Sequence, residues 1–167
     1  MGFCASRSNM GKTTLISNVI RELKRRGVQP VVLKHGQHLQ TAAGKDSARL
    51  VEAGAAASLY VSPEGLVLES RPSHELDIQS AARLLAACAD GDILLVEGYK
   101  QGPQRKIAVC RKDVALELPA GVNGICAVVS DAPIETPLPQ FRFADISALC
   151  DFIMENARPL EDEKNAK

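Results

Sequence analysis

The chain has 167 residues, of which 46% are hydrophobic and 24% charged, as in an ordinary globular domain. Its 20 basic and 20 acidic residues leave no net charge to attract nucleic acid or anionic lipid, and no apolar run approaches the length of a membrane span. We therefore predict a cytoplasmic protein that binds neither nucleic acid nor membranes. Residues 1–157 are expected to form a single domain, and residues 158–167, which are charged, a flexible tail.

In the first part of the chain, short apolar runs alternate with helical patterns. Strands are predicted at residues 3–5 and 31–33, and an amphipathic helix at 12–26. A loop and a short helix at 47–54 follow, with Asp46 or Ser47 as its cap.

The sequence Ser62-Pro63-Glu64-Gly65 predicts a turn between strands 57–61 and 66–68, and hence a β-hairpin. A helix is then predicted at 77–89, before the strongest strand signal of the chain, 93–96, which we interpret as a buried central strand. Further strands at 107–110 and 125–129 and a last helix from Asp145 complete the pattern. This alternation predicts an α/β fold with a mostly parallel sheet flanked by helices and a hairpin insertion.

The segment between the first strand and the first helix matches a phosphate-binding P-loop from its second glycine onward. Backbone N–H groups and a helix N-terminus would surround a phosphate, Lys12 would contact its oxygens, and the Thr13 hydroxyl would bind Mg²⁺. Ser6 replaces the leading glycine, and Asn9 stands where a glycine with positive φ is common, a conformation that asparagine tolerates. The fold is therefore expected to be P-loop NTPase-like. The expected nucleotide contacts in this loop are Asn9, Met10, Gly11, Lys12, Thr13 and Thr14.

Glu97 follows the apolar run 93–96, at the strand end where open α/β sheets bind ligands. It is expected to position Mg²⁺ or an attacking water, with a solvated loop glutamate as the alternative. Gly98 is expected to leave its N–H free for a γ-phosphate. Asp92 begins the same strand and should lie at the opposite edge of the sheet.

Other polar residues have two interpretations each. Asp46 is a candidate for contacting Mg²⁺-bound water, or a helix cap. Asp131 follows an apolar strand and would read the edge of guanine, or begin a turn before Pro133. A basic group after Glu97 would bind a phosphorylated ligand, or is simply solvated; its members are Lys100, Arg105, Lys106, Arg111 and Lys112.

The cysteines are odd in number and contain no C-x-x-C pair. We expect all of them to be buried, reduced thiols; they are Cys4, Cys88, Cys110, Cys126 and Cys150.

Several blocks taken together resemble one family, that of the molybdopterin-guanine dinucleotide biosynthesis adaptor protein MobB. The resemblance extends from about residue 3 to residue 153. Its blocks are Gly11-Lys12-Thr13-Thr14-Leu15, Lys34-His35 with His38, Gly44-Lys45-Asp46-Ser47, Ala53-Gly54-Ala55, Leu95-Val96-Glu97-Gly98-Tyr99-Lys100, Lys106-Ile107 and Val129-Ser130-Asp131.

The resemblance implies a GTP-binding protein with weak GTPase activity, usually a homodimer, that assists the guanylyltransferase attaching GMP to the molybdenum-bearing pterin. Lys12 and Thr13 would then hold phosphates and Mg²⁺, Glu97 would be the acidic partner, and Asp46 would sense the γ-phosphate. Molybdopterin is a further expected ligand, whose site the sequence does not locate.

Two other classes of function compete with this adaptor. A P-loop kinase acting on a small molecule would use Glu97 and the basic group to position an acceptor, but it needs an arginine-rich lid, for which only Arg105 and Arg111 are candidates. A regulatory domain that binds nucleotide without turnover is suggested by the loop from His35 to Gly44, which is short and lacks an acidic residue.

Overall fold

The computed structural model describes residues 1–36 and 45–158, except the side chain of Lys45. The chain divides into a main unit, Met1–His35 with Asp77–Lys167, and a hairpin unit, Gly36–Leu76. The helices are α1 (Lys12–Arg25), α2 (Lys45–Glu52), α3 (Ile78–Cys88) and α4 (Ile146–Asn156). The strands are β1 (Gly2–Cys4), β2 (Pro30–Lys34), β3 (Ala57–Ser62), β4 (Gly65–Ser70), β5 (Ile93–Glu97), β6 (Lys106–Cys110), β7 (Ile125–Ser130) and β8 (Gln140–Phe141).

The main unit is built on a six-stranded sheet in the order β2-β5-β1-β6-β7-β8. Every neighbouring pair in it is parallel, which confirms the predicted sheet type. Strand β8 was not predicted, because two residues are too few to show a period of alternation. The parallel arrangement brings the carboxyl ends of β1, β2, β5 and β6 to one edge.

The strand expected to be central, β5, lies second from the sheet edge, between β2 and β1. Its first residues, Ile93 and Leu94, are only half-buried, whereas every residue of β6 is buried. The prediction of a central position was therefore wrong. An aliphatic run measures strand propensity and burial, but the order of strands depends on the connections between them.

The core of the main unit lies between the sheet and the helices α1 and α4. Leu15, Val19 and Leu23 repeat along one face of α1, and Leu149 and Ile153 do the same on α4, as helical periodicity predicts. Asp77 caps α3 by accepting a hydrogen bond from the Ser80 backbone N–H at 2.7 Å. In the part of the chain that the structure describes, no helix has the length and hydropathy needed to cross a membrane.

The hairpin unit contains α2 and the antiparallel pair β3 and β4, which are in register from Ala57 with Ser70 to Ser62 with Gly65. The predicted hairpin is thus confirmed. The predicted cap of α2 was wrong: the helix begins at Lys45, so Asp46 and Ser47 lie inside its first turn. An acidic residue is favourable both as a cap and in the first turn, so the sequence did not distinguish the two positions.

The predicted tail lies mostly outside the described residues and stays a prediction. All five cysteines are free thiols, but only Cys4, Cys110 and Cys150 are buried. Cys88, at the end of α3, is exposed, so the expectation that all are buried was wrong. Burial raises the pKa of the Cys4 and Cys150 thiols to about 11, which keeps both protonated at neutral pH.

Glu22 links the end of α1 to α4 through Arg26, whose guanidinium also donates to Ser147 and Asp151. Hydrogen bonds from Arg25 and Arg26 lower the pKa of Glu22 to about 2. A carboxylate with a lowered pKa stabilises the folded state above its unfolded pKa, and this contribution is lost as pH falls toward 2. We expect Glu22→Gln to lower the free energy of unfolding in urea at pH 7 and to have much less effect at pH 2.5.

The matched control for this prediction is Glu155→Gln, which changes an exposed glutamate of α4. If Glu22→Gln lowered the free energy of unfolding equally at both pH values, the lowered pKa of Glu22 would not be the source of its contribution to stability.

Candidate functional site

The loop between β1 and α1 has the backbone shape that its sequence predicts. Asn9 has a φ of 59° and Gly11 a φ of 81°, so both lie in the left-handed region. The left-handed conformation expected at Asn9 is thereby confirmed, and its contact with nucleotide stays a prediction. Met10 between them is fully buried, so any contact it makes to a ligand would come from its backbone. The Ser6 hydroxyl, at the place of the missing glycine, is buried without a hydrogen-bond partner.

The left-handed conformation of Asn9 gives a direct test of the loop. An alanine at this φ costs about 1 kcal/mol, since its Cβ approaches the following carbonyl, whereas glycine has no such cost. We expect Asn9→Ala to lower the free energy of unfolding by about 1 kcal/mol in urea titrations, and Asn9→Gly to lower it by less than about half of that. Equal losses in the two variants would show that the asparagine side chain matters more than the backbone angle.

Helix α1 begins directly after the loop, and its first turn is open to an anion. Gly11 is the N-cap and no side chain caps it. The first turn carries no acidic residue of its own, so no side chain of the helix offsets the positive end of its dipole. The N–H groups of a first turn have no acceptor inside the helix, and here they face the end of the loop. This arrangement suits a phosphate group.

Lys12 lies at the same helix end, with its Nζ 3.4 Å from the Arg7 carbonyl oxygen. Burial lowers the pKa of Lys12, and the nearby Glu97 carboxylate partly offsets this effect. A partly desolvated ammonium held by one long hydrogen bond gains from an added anion, since the anion supplies the charge partner that burial has removed.

Thr13 and Glu97 meet across the carboxyl edge of the sheet. The Thr13 hydroxyl lies 3.1 Å from both carboxylate oxygens of Glu97, so it donates to a carboxylate placed by the end of β5. A hydroxyl and a carboxylate side by side are ligands that Mg²⁺ accepts directly or through water. Among the residues described, no group of three or more His, Cys, Asp or Glu side chains could hold a metal. An ion here would therefore take its other ligands from phosphate and water.

Gly98 does not have the free N–H that was expected, because this group donates to the Phe3 carbonyl at 3.3 Å. The reason is that β5 and β1 remain paired up to Glu97, and the ladder extends one residue further. Gly98 has a φ of 98°, and a Cβ there would lie 2.9 Å from the His35 carbonyl oxygen. His35 follows β2 at the same edge, with its ring 4.4 Å from that of Tyr99.

The basic group is divided by the sheet. Lys106 is buried, and its Nζ donates to the carbonyls of Gly102, Gln104 and Asn123. Arg105 donates to Asn156, also away from the phosphate loop. These two residues therefore do not form part of the site.

Arg111, another member of the basic group, contacts the phosphate loop. Its Nε lies 3.3 Å from the Met10 carbonyl oxygen. Asp131 accepts a hydrogen bond from the Lys112 backbone N–H at 2.8 Å and lies 3.5 Å from the Arg111 guanidinium. No strong sequence signal distinguished Arg111 from the rest of the basic group, because it follows Met10 by 101 positions.

The other acidic candidates, Asp92 and Asp46, have partners of their own. Asp92 accepts from the Gln29 N–H at 2.7 Å, at the amino end of β5 as predicted. Asp46 belongs to the hairpin unit, where its side chain is exposed and 3.9 Å from that of Arg49. His38 and Gly44 lie outside the described residues.

Comparison with known proteins identifies the chain's relatives. Residues 1–131 match the family model for molybdopterin guanine dinucleotide synthesis protein B, MobB. The molybdopterin-guanine dinucleotide biosynthesis adapter protein of Escherichia coli K12 is 34% identical over 158 residues, covering 90% of this chain and 89% of that protein. The protein of the same name from Haemophilus influenzae is 30% identical, covering 87% of this chain and 83% of that protein.

Solved structures agree in fold. A crystal structure of molybdopterin-guanine biosynthesis protein B superposes with a TM-score of 0.70 at 24% identity and covers 92% of this chain and 97% of its own. The structure of a MobB homologue from Bacillus stearothermophilus gives 0.66 at 25% identity and covers 92% and 94%. The sequence match over most of the chain and the shared P-loop NTPase-like fold lead to one conclusion: the chain belongs to the MobB family.

Proposed function

We propose that this protein is a GTP-binding adaptor of molybdopterin guanine dinucleotide biosynthesis, which assists the guanylyltransferase of that pathway and hydrolyses GTP weakly. The names of its relatives support the adaptor part of the proposal. The observation that carries the GTP part is the loop itself, whose left-handed residues Asn9 and Gly11 lead into an uncapped helix beginning at Lys12. Such a loop and helix end fit a chain of phosphates.

A triphosphate would provide partners for several groups around the loop. The buried Ser6 hydroxyl has no hydrogen-bond partner, and a phosphate oxygen would accept a hydrogen bond from it. The Lys12 ammonium would form charge-assisted hydrogen bonds to the β- and γ-phosphate oxygens. Thr14 would contribute its backbone N–H from the first turn. Gly98 already donates its N–H to Phe3, so its proposed role is smaller. Because it has no Cβ, the His35 carbonyl can lie close to it at this edge of the sheet.

Mg²⁺ would bind between Thr13 and Glu97, the residues whose side chains already meet at 3.1 Å. When bound, the ion would neutralise charge on the phosphates. The Thr13 hydroxyl would turn one lone pair toward it, and Glu97 would hold a coordinating water or orient the attacking one. Asp46 is the second proposed residue for hydrolysis, from the hairpin unit. With few groups to activate water, only slow hydrolysis is expected.

Calorimetric titration with GTP and with ATP, in Mg²⁺ and in EDTA, tests the nucleotide site. We expect GTP to bind more tightly than ATP, and Mg²⁺ to strengthen GTP binding. In Glu97→Gln, Mg²⁺ should no longer strengthen GTP binding to the same degree, and most of its effect should be lost. The matched control is Asp92→Asn, at the other end of the same strand. Binding of neither nucleotide by folded protein would refute the proposal, and a preference for ATP would favour the kinase.

Two assays separate the adaptor from its competitors. Addition of the protein to its guanylyltransferase should raise the rate at which GMP is attached to the molybdenum-bearing pterin. Single-turnover assays that leave GTP intact over hours would favour a regulatory domain without turnover. The kinase hypothesis has less support, because Arg105 is bonded to Asn156. Of the two arginine candidates for a lid, Arg111 alone contacts the loop.

A homodimer is the proposed oligomeric state, and the hairpin unit offers the surface for it. Large apolar side chains on β3 and β4 are exposed, with Val61 at 68%. Exposed apolar surface of this kind marks interaction sites. Light scattering should give a dimer mass, and Val61→Lys with Leu66→Lys should give a monomer. A monomeric parent protein would contradict the dimer. The exposed residues are Leu59, Tyr60, Val61, Leu66 and Leu68.

A further inference from the structure

The backbone of Arg111 is fixed directly after the fully buried strand β6. Its N–H donates to the Ala115 carbonyl at 3.0 Å, and its own carbonyl accepts from the Ala115 N–H at 2.8 Å. These two bonds form an antiparallel bridge that closes a tight turn. The Arg111 side chain therefore leaves the sheet edge from a defined point.

Three groups hold the guanidinium of Arg111 against the phosphate loop. Its Nε donates to the Met10 carbonyl at 3.3 Å, and its Cζ lies 4.2 Å from the centroid of the Phe143 ring. Its Nη1 is 3.5 Å from the Asp131 carboxylate. The packing against the loop is close, since a Cβ added to Gly11 would lie 2.9 Å from the Nη2 of Arg111.

The bond to Met10 determines the direction of one N–H group in the loop. The described chain contains no cis peptide bond, so the carbonyl of Met10 and the N–H of Gly11 point in opposite directions within one peptide plane. Because the Met10 carbonyl accepts from Arg111, the Gly11 N–H points away from the guanidinium. The next residues, Lys12 and Thr13, begin the helix, and the N–H groups of its first turn have no acceptor inside it.

We propose that Arg111, held by Asp131 and Phe143, is a positioning residue that presets the phosphate loop for an oxyanion before any nucleotide arrives. This inference deepens the proposed function, because it rests on the loop being the phosphate site. Asp131 then acts through Arg111: one of its oxygens takes the Lys112 N–H and the other faces the guanidinium. Its carboxylate supports the phosphate end of the ligand and does not read the guanine base.

The test uses two readouts and three variants of the full-length protein. The variants are Arg111→Met, Asp131→Asn and, as the matched control at the other end of β6, Arg105→Met. The first readout is the amide NMR spectrum without ligand, followed at Gly11 and Lys12, together with the melting temperature. The second is the affinity for GTP, ATP and inorganic tripolyphosphate, which has no base.

In Arg111→Met we expect shifted and broadened amide signals concentrated at residues 6–13, with little change in melting temperature. Affinity should fall about tenfold for all three ligands, which corresponds to one lost orienting hydrogen bond to a charged group. Asp131→Asn should show a smaller change of the same kind, equal for the three ligands. Arg105→Met should leave the loop signals and the affinities unchanged.

Other results would overturn the inference. Unchanged loop signals in Arg111→Met would refute the positioning role of Arg111. A loss of affinity in Asp131→Asn that affects GTP alone would show that Asp131 contacts the guanine base. A large fall in melting temperature with signals disturbed throughout the main unit would assign Arg111 to general stability. If the parent protein binds none of the ligands, the proposed function fails, and the signals at Gly11 still decide whether Arg111 sets the loop.

Discussion

Lys12→Ala is expected to weaken GTP binding by at least about a hundredfold, the effect of losing a charge-assisted contact to two phosphates in a partly desolvated site. The same change should leave the free energy of unfolding within about 0.5 kcal/mol of the parent value. The reason is that, among the described residues, Lys12 donates one long hydrogen bond, to the Arg7 carbonyl at 3.4 Å, and burial of its charge is itself a cost, as its lowered pKa indicates.

Calorimetry with GTP and Mg²⁺ and urea unfolding of the same samples measure the two quantities. The matched control is Lys24→Ala, which removes a lysine from the opposite end of α1, where it faces Gln29. This control should bind GTP as the parent protein does. Equal weakening in the two variants would mean that the overall charge of the helix, and not contact at its N-terminus, governs binding.

Lys106→Met is expected to have the largest effect on stability, a loss of about 3 kcal/mol or more in the free energy of unfolding. Methionine preserves much of the volume, but three carbonyl oxygens lose their donor in a place where Lys106 is only 1% exposed. Water cannot easily replace the ammonium there. Burial lowers the pKa of Lys106, and the hydrogen bonds to the three carbonyls offset part of the cost of desolvating its ammonium.

Urea unfolding monitored by circular dichroism provides the measurement, with Lys112→Met as the control on an exposed lysine that follows the same strand. The control should change stability by less than about 0.5 kcal/mol. A loss below about 1 kcal/mol in Lys106→Met would show that the loop around Gly102 and Asn123 relaxes or hydrates without its lysine.

The parts of the site that are local in sequence could be predicted from it. The loop from Ser6 to Thr13 contains its own strand exit, left-handed residues and helix start, so one stretch of chain carries the whole signal. Glu97 could be placed opposite Thr13 because parallel strands end at a common edge. Each of these inferences needs only periodicity and strand direction.

The parts that depend on distant partners could not be predicted. Lys106 and Arg111 belong to one basic stretch of sequence, yet one is buried among backbone carbonyls and the other lies against the phosphate loop. What separates them is the end of β6 at which each residue lies, together with the loops that meet it there. The same limit explains why β5 was assigned to the centre of the sheet and why Cys88 was expected to be buried.

The position of β1 in the sheet has a consequence for synthesis. Gly2 pairs with Val96 on one side and with Lys106 on the other, so β1 has neither neighbour until translation has passed α3 and reached β5. The contacts of the phosphate loop that follows β1 form later still, since the side chain that contacts Met10 is that of Arg111. A nascent chain that stops short of residue 111 therefore lacks the long-range contacts that shape this loop, and under the proposed function nucleotide stabilises only a chain translated beyond that residue.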